Sequence, residues 1–365
     1  MPHQKGDAKN RHPTLRDIAA LARVAPMTVS RVINQSGYVS RELRERVERA
    51  IEQLEYHPNA LARSLKARRT RVIGILLPDI ANPFAAELAG SIQEVLLERG
   101  YSAFITTTDQ KADREQAALS AFFEHRVDGV IIATVQTKAS AEALRKFTRR
   151  GMPIVTVGRA LNMPATDRVT ADYWKGGYDA VEHLIRLGHK RIAFIGASLL
   201  RAGALRRFQG YLDALRDHNL PIQEELIIGA HPDLGPGYST QTDGYEGMKR
   251  LLALPLPPTA VFARNDFTAL GAMCAVRDHG LRIPQDVAIV GFDNIPMARS
   301  FTPSLTTVDQ STAEQGRKAA LMLLERIEGA VQGDPREVCF DCRLIVREST
   351  AKRKADRKIL LKSGA

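Results

Sequence analysis

The stretch 26–34 gathers Pro26, Met27, Thr28, Ser30, Arg31 and Asn34, residue types that suit reading a nucleic acid. An exposed arginine on a helix donates two parallel hydrogen bonds to guanine O6 and N7, and hydroxyl and amide side chains suit phosphate oxygens. On a helix lying in the major groove, Pro26 and Met27 meet base edges and Arg31 follows one turn on. Thr28, Ser30 and Asn34 then face the backbone. Other chemistry finds less support. Cys339-Phe-Asp-Cys342 has C-x-x-C spacing, but in a strand-like run positions three apart point to opposite faces, and no second pair accompanies it. Both cysteines are read as structural. Glu182-His183 and His189 do not form H-E-x-x-H, so zinc is not expected. No G-x-S-x-G, phosphate-loop or G-x-G-x-x-G motif occurs, which disfavours hydrolase, nucleotidase and dehydrogenase readings. No catalytic residue, metal or cofactor is expected.

Short helices must position the basic group. Thr14 caps the first, with Asp17 three residues on as a capping-box partner, and Leu15, Ile18, Ala19 and Ala22 share a face. Pro26 suits the first turn of a second helix ending near Asn34, with Val29, Val32 and Ile33 inward. Ser40 caps a third, striped by Leu43, Val47, Ala50, Ile51 and Leu54. The first two, about Leu15–Arg23 and Pro26–Asn34, have helix-turn-helix spacing.

From Arg71 the pattern changes. Strand-like runs at Val72–Leu77, Ala103–Thr107, Gly129–Ala133, Ile154–Val157, Arg191–Ile195, Ala260–Ala263 and Val287–Gly291 alternate with amphipathic stretches. The helical stretches are Ala85–Arg99, Arg114–His125, Gly177–Leu187, Arg207–His218, Thr268–His279 and Thr312–Ile327. Such alternation predicts an α/β body of doubly wound parallel sheets, and its length predicts two lobes with a cleft at the carboxyl ends of the strands.

Charge follows the same division. The net +11 resolves into +7 over residues 1–70, −1 over 71–350 and +5 over 351–365, a basic head on a neutral body. Three cysteines are too few for a disulfide scaffold. The first residues are polar and no apolar run is long enough to span a bilayer, so the cytoplasm is the expected compartment. Residues 1–13 and 351–365 read as disordered ends, and the basic tail as a solvated one.

Ordered motifs now converge. Thr14-Leu-Arg-Asp-Ile-Ala-Ala-Leu-Ala, Thr28-Val-Ser-Arg-Val-Ile-Asn, Tyr38-Val-Ser and Tyr56-His-Pro-Asn-Ala-Leu-Ala-Arg-Ser-Leu-Lys66 resemble the lactose/galactose repressor family. So do Gly74-Ile-Leu-Leu-Pro-Asp-Ile-Ala-Asn-Pro-Phe84, Arg126-Val-Asp-Gly129, Leu187-Gly-His-Lys-Arg-Ile192, Arg264-Asn-Asp266, Ile283-Pro-Gln-Asp-Val287, Gly291-Phe-Asp-Asn294, Thr302-Pro-Ser-Leu-Thr-Thr307 and Leu344-Ile-Val-Arg-Glu-Ser349. The resemblance spans about residues 14–350. It implies a three-helix head at 14–57, a hinge helix and linker at 58–70, and a periplasmic-binding-protein-like body at 71–350 that binds an effector and dimerises. It adds Thr14, Arg23, Tyr38, Asn59 and Ala62 to the DNA-contacting set, Leu65 as a wedge that unstacks a minor-groove step, and Lys66 beside it. Basic residues in the linker, Arg63, Lys66, Arg68, Arg69 and Arg71, predict steep salt dependence. One departure stands out: the family's small Gly-Val-Ser-like turn is here Arg23-Val24-Ala25. Losing the serine cap costs about 1 kcal/mol, partly offset by Pro26, and Arg23 replaces a phosphate contact by charge.

For the cleft, the resemblance points to Phe84, Asp172, Trp174, Arg207, Asn265 and Asp293. Asp293 would accept from hydroxyls, Arg207 would anchor a ring oxygen or carboxylate, and Trp174 would stack on a sugar face. Ala171-Asp172 departs from the commoner Asp-Asn pair, and segments Leu199–Ala204 and Gly235–Gly244 also differ. Pro26-Met27 and Arg264-Asn-Asp266 are similar to gluconate-type repressors. The expected protein is a homodimer or tetramer that binds pseudo-palindromic operator DNA under control of a sugar or sugar acid. The alternatives are a purine-type corepressor-dependent repressor, or a sugar-binding protein or enzyme with an accessory DNA-binding head.

Overall fold

A computed structural model describes residues 13–34, 36–56, 69–109, 111–133, 138–158, 166–197, 202–229 and 240–350, and it divides between Thr70 and Arg71 into two compact units. Asn59, Ala62, Leu65 and Lys66 lie outside the described residues, as do 1–12, 198–201, 230–239 and 351–365.

In the first unit, α1 (Leu15–Ala22), α2 (Pro26–Ile33) and α3 (Arg41–Gln53) close around Ile18, Ala19, Ala22, Val29, Val32, Val47 and Ala50. Thr14 begins α1 as its sequence suggests: its backbone N–H and Oγ1 both donate to Asp17 Oδ2 at 2.7 Å. The stripe is narrower than the pattern implied. Leu15 stays at the surface and Ile33 is only half-buried.

The second unit holds two six-stranded sheets. The first is ordered β11-β5-β4-β3-β1-β2, from β1 (Val72–Leu77), β2 (Ser102–Thr107), β3 (Gly129–Ile132), β4 (Ile154–Val157), β5 (Asp167–Ala171) and β11 (Glu337–Phe340). The second is ordered β12-β10-β9-β8-β6-β7, from β6 (Ile192–Ala197), β7 (Ile227–Gly229), β8 (Ala260–Ala263), β9 (Ala288–Asp293), β10 (Thr306–Asp309) and β12 (Arg343–Ile345). Pairing is parallel, as the sequence pattern implied, with one antiparallel edge strand, β12, beside β10. In both sheets the order reverses beside the first strand, so each has a switch point at its carboxyl edge. The central strands are buried throughout, as sheets covered on both faces require.

The first lobe's helices are α4 (Pro83–Glu98), α5 (Ala112–Glu124), α6 (Lys138–Arg149) and α11 (Thr312–Glu328). The second lobe's are α7 (Tyr173–Arg186), α8 (Ala202–Asp217), α9 (Gln241–Leu252) and α10 (Asp266–Asp278). The chain crosses between the lobes at Asp172, at Gln310–Ser311 and at Asp341–Cys342. Crossings one and three are tied where Asp172 N donates to Phe340 O at 2.9 Å.

One buried ion cluster pins the last returns of the chain to the first sheet. Asp167, at the start of β5 and 2% exposed, accepts from Arg326 Nε and Nη2 (3.1 and 2.8 Å) and from Arg336 N and Nη2 (2.8 and 2.7 Å). Burial alone would raise its pKa, but the arginine hydrogen bonds outweigh it and hold the carboxyl below the ordinary value. Its stabilisation is therefore present above the ordinary carboxylate range and lost as pH falls through the lowered folded-state value. Asp167→Ala leaves two arginines facing an emptied site and is expected to destabilise the body by ~3 kcal/mol at neutral pH. Urea unfolding would show the deficit shrinking below pH 4; a loss under about 0.5 kcal/mol would contradict the anchoring role.

Candidate functional site

In the head, Pro26, Met27, Thr28, Ser30 and Arg31 of the side chains that the sequence assigns to DNA lie on α2, Arg23, Asn34 and Tyr38 in the turns beside it, and Thr14 at the start of α1. Pro26, Met27, Arg31 and Tyr38 are exposed, with Tyr38 at 89%, and Thr28 and Ser30 are half-buried. Arg31 lies along the turn after α2, since a Cβ on Gly37 would sit 3.7 Å from its Cδ. Asn34 is partly engaged already: Nδ2 donates to Ser30 O at 2.8 Å and reaches Ser30 Oγ at 3.2 Å.

The departure at Arg23-Val24-Ala25 has a structural counterpart. Arg23 adopts φ +52 and ψ +49, the left-handed conformation that glycine takes without strain and that costs a side-chain-bearing residue ~1–2 kcal/mol. Ala25 offers no side chain to cap α2, and Pro26 fills its first turn. Arg46, on α3, supports this turn by donating from Nη2 to Ala22 O at 2.6 Å and Arg23 O at 3.3 Å. Sequence reasoning missed Arg46, whose partners are more than twenty positions away.

In the body, Arg207 and Asp293 meet. Arg207 Nη2 lies 3.4 Å from Asp293 Oδ1, and Nη1 donates to Arg264 O at 2.9 Å. The guanidinium sits 3.8 Å over the Phe292 ring and 4.9 Å from that of Tyr173. Asp293 ends β9 in a strained conformation, φ +112, and accepts from Gln310 Nε2 at 2.6 Å. Burial drives its pKa up to about 6 against the opposing pull of Arg207, Arg264 and the Gln310 hydrogen bond. Behind it the buried Asp266 accepts from Ile295 N at 2.8 Å and Thr307 Oγ1 at 2.5 Å, which fixes the turn after Asp293. Burial, then the charge of Asp293, raises Asp266 well above its ordinary value. These groups occupy the carboxyl ends of the adjacent strands β8, β9 and β10, where α/β sheets hold ligands.

Close helix packing delivers Arg207. A Cβ on Gly177 of α7 would fall 2.4 Å from Arg207 O, and one on Gly210 of α8 would fall 2.3 Å from Trp174 O. Only glycine at both positions lets the two backbones approach this closely.

The other expected cleft residues are placed unevenly. Asn265 is buried and caps α10, accepting from Thr268 N at 2.8 Å. Asp172 caps α7 through Oδ1, which accepts from Lys175 N at 3.0 Å. Phe84, in the first turn of α4, packs against the cores of both lobes. Trp174 turns to the outer α7–α8 face, donating from Nε1 to Asp213 Oδ2 at 2.9 Å beside Tyr178. The aromatic rings next to Arg207 are Tyr173 and Phe292, so the sugar-stacking role given to Trp174 is not supported by its position. Glu87, one turn beyond Phe84, was not anticipated. Burial, then the charges of Asp309 and Glu314, raise its pKa, and its own charge adds to the upward push on Asp293. Cys342 is buried and its thiol pushed up to about 12 by burial, so the C-x-x-C pair holds no ready thiolate there.

Residues 14–59 match the family described as bacterial regulatory proteins, lacI family, and residues 70–348 match the periplasmic binding proteins and sugar binding domain of the LacI family. The chain belongs to the LacI family. The HTH-type transcriptional repressor PurR of Mannheimia succiniciproducens is 38% identical over 86% of this chain and 92% of its own. Among solved structures, the transcriptional regulator CelR–cellobiose complex is 33% identical, with TM-score 0.69 over 92% of this chain and 99% of that one. The lac repressor dimer bound to operator and the anti-inducer ONPF is 26% identical, with TM-score 0.81 over 93% and 100%. This LacI-family protein is a DNA-binding transcriptional repressor whose relatives are repressors rather than enzymes. Among the described residues, no helix is long and apolar enough to cross a membrane and no group of three or more His, Cys, Asp or Glu gathers for a metal ion.

The buried carboxylate sets a pH signature. With a folded-state pKa near 6, Asp293 keeps its proton where an unfolded carboxyl has released it, so its cost is full above pH 6 and fades toward the ordinary value of 3.8. Between pH 4 and 6, wild-type stability should fall as pH rises, and Asp293→Asn should reduce that slope, leaving the contribution of Asp266, whose carboxyl burial also raises. Identical slopes in urea unfolding would contradict the assignment. In the head, Arg23→Gly should relieve the left-handed turn and raise head stability by about 1 kcal/mol. Hydrogen exchange of α1 and α2 amides would report it.

Proposed function

We propose that this repressor reads a pseudo-palindromic operator as a homodimer, and that a small polar effector held by Arg207 and Asp293 decides when it does so. The observation that carries the effector reading is the Arg207–Asp293 contact: a cation and a strained, buried carboxylate at the carboxyl ends of adjacent strands, flanked by two aromatic rings. On the DNA side, Met27 and Arg31 are the base readers, with Thr14, Arg23, Thr28, Ser30, Asn34 and Tyr38 placing the head on the backbone. In the linker, Leu65 with Asn59, Ala62 and Lys66 would complete the contact in the minor groove.

A sugar or sugar acid is the effector we favour, because the body matches a sugar binding domain and one similar structure holds cellobiose. The relatives named PurR favour a second reading, a purine-type corepressor that strengthens operator binding.

Operator selection followed by fluorescence anisotropy tests both parts. Arg31→Ala should weaken binding to the selected site by about 1–3 kcal/mol and relax its preference at one base pair. A ligand should shift operator affinity by ~5–150-fold. Weakening by a sugar supports the first reading, and tightening by a purine base supports the second. No sequence-selective binding at physiological salt, with or without ligand, would overturn the regulator mechanism drawn here.

A further inference from the structure

The motif Arg126-Val-Asp-Gly129 has no part in the sites described above, yet its aspartate holds the residue at which the linker joins the body. Arg71, the first residue of the second unit, has φ +54. That left-handed region is unfavourable for any residue with a side chain. At the entries to β2, β3 and β4 the left-handed residues are Gly100, Arg126 and Gly151, and each follows the end of a helix. Helices commonly stop in this way. The same account does not cover Arg71, because Arg69 and Thr70 before it belong to no helix.

Hydrogen bonds hold Arg71 from both sides. On the sheet side, its carbonyl accepts from Ser102 N at 2.9 Å, and Val72 O accepts from Asp128 N at 2.8 Å. On the linker side, its own N–H donates to Asp128 Oδ2 at 2.9 Å. The guanidinium lies along the turn before β2, since a Cβ on Gly100 would fall 3.3 Å from Nη1. These bonds do different things. The bonds from β2 and from the start of β3 place the carbonyl end of Arg71, as at the first residue of any strand. The direction of its N–H is set by φ, the rotation about the N–Cα bond, and that N–H is held by the Asp128 side chain. If φ returned to about −60°, the chain before Arg71 would turn by about 110° around that bond.

We propose that Asp128 is a positioning residue for operator binding: it fixes the direction in which the linker leaves the body, so that this joint is already ordered when the linker meets DNA. Fixing a backbone torsion beforehand removes part of the entropy lost on binding. The proposal rests on the reading that the linker contacts the operator. Asp128 itself touches neither DNA nor effector in this scheme. As an anion it would, by charge alone, oppose binding to a polyanion, so the two influences have opposite signs.

The test uses the full chain, the selected operator and fluorescence anisotropy at several salt concentrations, with urea unfolding to follow the fold. Asp128→Ala should weaken operator binding about 3- to 10-fold, and Asp128→Asn, which keeps an acceptor oxygen, should recover most of that loss. Asp128→Glu keeps the charge but moves the carboxylate by one methylene, and it should also weaken binding. The slope of affinity against salt should stay at the wild-type value in all three; a slope lower by about one would mark a lost phosphate contact and overturn the proposal. Should Asp128→Ala not fold, the other two decide, with Asp128→Glu expected to be the weaker binder. Tighter binding by both Asp128→Ala and Asp128→Asn overturns the proposal in favour of simple charge repulsion. Wild-type affinity in Asp128→Ala and Asp128→Glu overturns it in favour of an ordinary bond at a strand entry, even where urea unfolding shows a less stable body. Leu65→Ala, measured alongside, separates the two readings. If it leaves operator affinity unaltered, the linker reading fails and this proposal with it; if it weakens binding while the Asp128 variants do not, this proposal alone fails.

Discussion

A carboxylate removed from water at the end of a β-strand must be balanced, and around Asp293 the balance organises much of the second lobe. Its backbone is held at φ +112, a conformation that persists only because neighbours over-determine it. Asp266 supplies that restraint by gripping Ile295 N and Thr307 Oγ1. Arg207 supplies the countercharge and is itself sandwiched against Phe292 and anchored on Arg264 O. Even the glycines of α7 and α8 belong to this scheme, since without their close approach the guanidinium could not reach the strand ends. The cost of a buried, strained acid is difficult to explain by packing alone, because an apolar residue there would be cheaper.

The same constraint places the Asp293 contacts next to the connections between the two lobes. Two sheets of like order are joined by three chain crossings, and one of the groups that balance Asp293, Gln310, sits on the second of them. In the proposed reading, a ligand that alters the hydrogen bonding of Asp293 would act through Gln310 on the second crossing. Asn294 extends the link, donating to Asp309 at 3.0 Å while accepting from Arg347 at 2.7 Å. Whether such a change favours or opposes DNA binding depends on which lobe arrangement suits the operator, and the same crossings would serve either sign.

Much of this was readable from sequence where one physical signal dominated. β1, β4 and β8 are continuous apolar runs between turns, and their bounds matched residue for residue. β10 and β12 were missed because Thr-Thr-Val-Asp and Arg-Leu-Ile are too short to show a pattern, and their pairing with each other and with β9 makes them strands. α9 escaped notice because glycine and charge interrupt its stripe, whereas α6 is plainly amphipathic and was passed over although its pattern was readable. At the site, Arg207 and Asp293 could be carried over by motif, and the structure brings them together. Trp174 could not be placed from its type, since one step along α7 exchanges the inner face, occupied by Tyr173, for the outer one. Gln310 gave no sequence signal, because an isolated glutamine is ordinary until burial leaves its carbonyl unmatched.

The head follows a different economy from the body. Its small core leaves little to stabilise a strained turn, yet the turn that sets α2 against α1 contains a left-handed arginine and an uncapped helix start. Arg46 reaches back from α3 to bind the two carbonyls at that turn, so the third helix fixes the angle between the first two. A glycine at position 23 would make the turn easy and remove a positive charge from the head; arginine keeps the charge, and a hydrogen bond from 23 residues away supports its carbonyl. The strain is thus located at a residue that we propose meets phosphate. That placement is consistent with a head whose marginal stability is compensated on the operator, where binding itself adds to the folded state's free energy.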